Sequence, residues 1–176
     1  ARLAAQALDI AGAYQQVAIN ASTTLATIYI SQGEPKRAVA LLYASLEKAP
    51  SAVELRLKLG QIMLGRHFRN LEEAAANFLL VTQLMPYYEW GHALFGIGMA
   101  ERGHPRIAYS SLMEALRLNP NNTDARQKLD QIRPLLKGQD FNPQPPFIQL
   151  ERYPSTAPRK LLQGRRNSSG HFIPDG

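Results

Sequence analysis

Four histidines, His67, His92, His104 and His171, are the first residues to ask for chemistry. Imidazole holds a metal or moves a proton only beside suitable partners, and ligating histidines recur at short, set spacings. No two of these have such a spacing, and none stands in a known pattern with an acidic residue. His67 and His104 fall in predicted turns, in water. Glu72 and Glu73 are an adjacent carboxylate pair at a predicted helix start, where negative charge complements the helix dipole. That structural role is expected rather than acid–base work, which needs a positioned pair. Gly96-Ile97-Gly98 is similar to a phosphate loop only in its letters, since helical spacing surrounds it and no strand precedes it. The chain has no cysteine, which removes disulfides, thiolate zinc sites and cysteine nucleophiles. Asn20-Ala21-Ser22, Asn121-Asn122-Thr123 and Asn167-Ser168-Ser169 match the glycosylation acceptor pattern, which is short enough to arise by chance. No catalytic constellation, metal site or cofactor is expected. What remains is binding. Trp90 is the expected hot spot, because Trp so often anchors interfaces. The competing reading has Tyr87, Tyr88 and Trp90 packing between helices.

The elements that would position such residues follow from apolar periodicity. In Glu89 to Pro120, Phe95, Gly96 and Met99 make one helical face and Ala108, Leu112, Ala115 and Leu116 a second. Gly103 and Pro105 break and restart the helix between them. Ile19 to Pro50 and Val53 to Pro86 carry the same arrangement. The first has Leu25, Ala26, Tyr29, Gly33, Ala38, Leu42 and Pro50; the second has Leu59, Gly60, Met63, Ala74, Phe78 and Pro86. The closing prolines are 86 − 50 = 36 and 120 − 86 = 34 residues apart. The two additional residues are placed in the turn from Gly65 to Asn70. Ala38, Ala74 and Ala108 are expected at close helix contacts.

Three copies in phase, each closed by a proline, resemble the tetratricopeptide repeat family. The resemblance covers about residues 19 to 137. One departure is shared: the family's early Trp is replaced by Ser22, Arg56 and His92. The resemblance implies an all-α, right-handed α-solenoid of about three helical hairpin repeats, at 19–52, 53–88 and 89–122. A capping helix at 123–137 would carry Ala125, Leu129 and Ile132 on its buried face, with Asn122 or Thr123 as N-cap. It also implies a concave groove lined by the first helix of each hairpin. Its positions are Asn20, Thr23, Thr27, Ile30, Leu57, Gln61, Leu64, Trp90, Ala93 and Ile97, a neutral-to-apolar set suited to a segment with apolar anchors. One subfamily grips the acidic C-termini of heat-shock chaperones with Lys, Asn and Arg. The matching positions here are Thr23, Thr27, Lys58, Trp90 and Leu94, so only Lys58 is basic, and the resemblance argues against that peptide.

Residues 1–18 read as a helix forming a degenerate half-repeat. A single helix running on to Ile30 competes, because no break occurs near Asn20. Residues 138–176 change character and read as an extended, Pro-rich, basic tail holding six of the chain's 12 prolines. It cannot form its own core. Its expected anchors are Phe141, Phe147, Ile148, Leu150, Tyr153, Leu161, Leu162, Phe172 and Ile173. Self-docking would nearly cancel between burial and entropy, so docking on a neighbouring subunit is expected.

The chain has 176 residues and a formal net charge of +6. The tail holds 5 − 3 = +2 of this and the body 15 − 11 = +4. No groove position is basic, which argues against nucleic acid. No apolar run reaches the ~18 residues of a membrane helix. The compartment is left open: cytoplasmic by default, or a processed organellar or periplasmic form, because the first residue is Ala1 rather than Met. The function expected is a non-catalytic protein–protein interaction scaffold, a structural or assembly subunit contacting several partners in one complex. The alternatives are a helical-repeat RNA-binding protein and a regulatory domain of a longer protein.

Overall fold

Helical periodicity becomes a series of hairpins in the computed structural model. It describes residues 2–136, 165–166 and 172–173, with side chains described for residues 10–136. Among the described residues the helices are α1 (Arg2–Ser31), α2 (Pro35–Lys48), α3 (Val53–Leu64), α4 (Leu71–Leu84), α5 (Glu89–Glu101), α6 (Pro105–Leu118) and α7 (Thr123–Ile132). A 3-10 turn, Arg133–Leu136, continues α7. Strands β1 (Arg165–Arg166) and β2 (Phe172–Ile173) pair antiparallel, Arg165 opposite Ile173 and Arg166 opposite Phe172. This ladder lies within the segment expected to be simply extended. The chain divides into two units, residues 1–59 with 160–176 and residues 60–159, and the division falls inside α3.

In the first unit α1 packs along α2. Ile19 and Ala26 of α1, Ala38 and Leu42 of α2, and Leu55 and Leu59 of α3 are buried. Gly33 closes the α1–α2 turn at φ 75, a conformation that residues with a Cβ rarely adopt. The separate helix expected over residues 1–18 is corrected. α1 runs unbroken from Arg2 to Ser31, as the competing reading had it. No Pro interrupts it, and Gly12 alone costs a helix only about 1 kcal/mol.

In the second unit α5 packs against α4 and α6, and α7 packs against α5 and α6. Ala74 and Ala108 are fully buried, as expected of close contacts. Small residues face large ones: a Cβ on Gly60 would come 2.5 Å from the Phe78 ring, and one on Gly96 would come 2.7 Å from Leu112. The longer turn lies where the spacing of the prolines placed it, between Leu64 and Leu71. Asn122, 6% exposed, caps α7 through a 2.9 Å bond from the Ala125 N–H to its Oδ1.

Two of the residues that replace the early Trp share a task with Arg126 of α7. Arg56 donates from Nε to the Pro50 carbonyl at 3.0 Å. His92 Nε2 lies 2.8 Å from the Pro86 carbonyl oxygen, which only accepts, so Nε2 carries the hydrogen. Arg126 donates to the Pro120 carbonyl. Each closing proline is thus clasped by the side chain six residues later. Ser22 instead meets Ser45 Oγ at 2.9 Å.

Candidate functional site

The groove positions expected in the first unit carry no charge, and their threonine hydroxyls are satisfied within α1. Thr23 Oγ1 donates to the Asn20 carbonyl at 2.9 Å, and Thr27 Oγ1 donates to the Thr23 carbonyl at 2.9 Å. A Ser or Thr inside a helix commonly folds back on the preceding turn in this way. Asn20 and Thr27 are exposed, while Thr23, Ile30 and Leu57 are half-buried. The Asn20 amide oxygen accepts from Gln16 Nε2 at 3.1 Å. Lys58, the only basic residue at the family's clamp positions, is half-buried.

In the second unit Gln61 is exposed, and Leu64, Trp90 and Ile97 are half-buried. Ala93 is corrected: it is 0% exposed and offers a partner nothing. It lies inside α5, whose residues from Gly91 to Gly96 are all buried. Leu94, another clamp position, is buried with it. Tyr87 is 83% exposed, so the packing alternative does not describe it, while Tyr88 and Trp90 are half-buried. Of the tail anchors, Phe141, Phe147, Ile148, Leu150, Tyr153, Leu161 and Leu162 lie outside the described residues, and Phe172 and Ile173 form β2.

Glu73 was missed as anything but a dipole partner. Glu72 is exposed, but Glu73 is 1% exposed. The Glu73 N–H donates to Asn70 Oδ1 at 3.2 Å, and Asn70 Nδ2 donates to Glu73 Oε2 at 2.9 Å. Oε1 is buried without a hydrogen-bond partner among the described residues. Asn70 and the helix N-terminus favour the carboxylate, but burial dominates and pushes its pKa from 4.5 to about 7. Two signals in the sequence pointed to it. Asn70-x-x-Glu73 is close to a capping box, and Glu73, Asn77 and Val81 share one buried helical face.

Among the described residues no three His, Cys, Asp or Glu gather where a metal ion could be held. No helix among them is long and apolar enough to cross a membrane.

The hairpins, the small–large pairs and the closing prolines define a class, the tetratricopeptide repeat proteins. Residues 19–62 match that family, described as Tetratricopeptide repeat. The chain carries a tetratricopeptide repeat by the sequence of that stretch, and its hairpins have the all-α fold of such repeats. No curated protein matches the chain. The first repeat domain of Spaghetti (RPAP3), bound to the HSP90 peptide SRMEEVD, is similar at 18% identity and TM-score 0.61, covering 67% of this chain and 94% of that one. The second repeat domain of human RPAP3, in complex with the HSP70 peptide SGPTIEEVD, is 18% identical at TM-score 0.60, covering 67% and 97%. A mutant Thermobaculum terrenum O-GlcNAc transferase is 22% identical at TM-score 0.60, but the match covers 67% of this chain and only 22% of that one. At these identities the likeness is one of fold. The expectation that argued against a chaperone C-terminal peptide gains no support, because two of these domains are bound to an HSP90 or HSP70 peptide.

Proposed function

We propose that this chain is a non-catalytic protein-interaction scaffold, a structural or assembly subunit that takes partner segments on the groove-facing sides of its first helices. The observation that supports the reading is the character of the expected groove positions Thr23, Thr27, Ile30 and Leu57. They are uncharged and exposed or half-buried, and the two threonine hydroxyls donate to carbonyls of their own helix. Such positions suit an apolar-anchored segment and give phosphate nothing to hold. Trp90 is the proposed anchor in the second unit. Replacing Leu57 and Trp90 by Ala should weaken binding of a native partner segment at least ~10-fold with helicity unchanged. Calorimetry with that segment tests it, and unchanged affinity would return both residues to a packing role.

The similar RPAP3 domains favour a second reading, an acidic chaperone C-terminus, for which Lys58 would supply the charge. Titration with SRMEEVD separates the two. Binding that weakens steeply with salt and is lost in Lys58→Ala selects the acidic peptide. Salt-tolerant binding of an apolar segment selects the first reading.

A further inference from the structure

α1 has a second face that its hairpin leaves uncovered. Ile10, Tyr14, Val17, Ala21, Thr24 and Ile28 are all exposed. Their spacings alternate between four and three residues, the heptad seam of a coiled coil. At 100° per residue this stripe points directly away from Ile19 and Ala26, which are buried, and it lies beside the groove positions rather than on them. Ile10 is 57% exposed, Tyr14 73% and Val17 65%, in a stretch where α1 buries nothing from Ile10 to Ala18. Thr24 Oγ1 donates to the Asn20 carbonyl at 2.8 Å, so its hydroxyl is satisfied within α1.

We infer that this stripe pairs with the same stripe of a second copy of the chain. A helix whose outer side faces water normally carries charge there. From Ile10 to Ser31 the sequence contains no Asp, Glu, Lys or Arg. Such a face supplies no ion to satisfy a charged partner, and its best match is a face as neutral and as regularly spaced as itself. The seam from Ile10 to Ile28 is ~28 Å long. Two such strips would remove on the order of 1,000–1,200 Å² from water, the lower end of specific interfaces. The pair is therefore a weak, concentration-dependent dimer.

Sedimentation of the full chain from roughly 1 to 300 µM tests it. A monomer–dimer equilibrium should appear, and Tyr14→Glu with Val17→Glu should raise its dissociation constant at least ~100-fold. Both positions are exposed, so the hairpins should keep their helicity by circular dichroism. Gln15→Glu puts a single negative charge on the opposite side of α1 and should leave the dimer intact. A chain that stays monomeric leaves the face to a different protein and overturns the inference. So does a species larger than a dimer, a dimer indifferent to Tyr14 and Val17, or one that Gln15→Glu dissolves equally.

Discussion

α1 leaves Ile10, Tyr14 and Val17 in water, while α4 takes the carboxyl group of Glu73 almost wholly inside. Hydrophobicity would rank them the other way. Burial here is decided by what packs against a helix, because a close-packed interior encloses whatever lies on the covered face. α4 lies against α5, and the face carrying Glu73, Asn77 and Val81 is covered along its length. α1 packs on α2, and its residues from Ile10 to Ala18 extend without burying a side chain. The same repeat pattern thus makes a dense helix layer in one region and an open one in the other.

The largest test of that contrast is a pair of truncations. Leu112 is fully buried, and its neighbour Gly96 has no side chain to move into a void. Leu112→Ala should cost about 2–5 kcal/mol, toward the upper end because the site collapses poorly. Ile10→Ala should change the monomer by less than ~0.5 kcal/mol, as surface substitutions usually do. Denaturant midpoints measured at low protein concentration compare them. Equal costs would break the distinction between the two helices.

Next comes pH. A carboxyl whose folded pKa lies above its unfolded value binds its proton more tightly when folded. Its contribution to stability is complete below the unfolded pKa and is lost as pH rises through the folded one. For Glu73 the window runs from 4.5 to about 7. A shift of that size corresponds to roughly 3 kcal/mol. Glu73→Gln removes the titration, so the stability of wild type relative to the variant should fall by about that amount between pH 4.5 and pH 8. A flat difference would mean that water reaches Glu73 Oε1. Glu114 does not confuse this, because hydrogen bonds from Arg117 hold its pKa down and both proteins keep that pair.

Much of this was legible in the chain. Proline spacing and the recurrence of Ala and Leu located the hairpins, the long middle turn and the small–large contacts. What local pattern could not supply was the identity of neighbours. Ala93 has the helical position of a groove residue, yet α5 is covered so fully that it is enclosed. The clasps of Pro50, Pro86 and Pro120 were invisible for a different reason. Arg56, His92 and Arg126 are chemically unlike, and only their shared distance from a proline carbonyl reveals one role. α1 escaped because its period fits a helix on both sides, so the sequence alone does not choose the face that α2 covers.

The smallest effect concerns how the helices of the dense region begin. α6 and α7 solve the problem of unpaired N–H groups differently. α6 starts with Pro105 at its first position, which has no N–H to satisfy, and His104 makes no side-chain cap. α7 starts after Asn122, whose Oδ1 takes the Ala125 N–H at 2.9 Å. Asn122 is also nearly buried, so water cannot readily replace that bond. His104→Ala should therefore stay within ~0.5 kcal/mol of wild type, while Asn122→Ala should cost about 1 kcal/mol. The loss should loosen the helix that places Leu129 and Ile132 in the core. Amide exchange locates it: α7 should lose protection before α4 or α5. If His104→Ala proves as costly as Asn122→Ala, the exposed imidazole is doing more for α6 than its proline, and the two helix starts are alike after all.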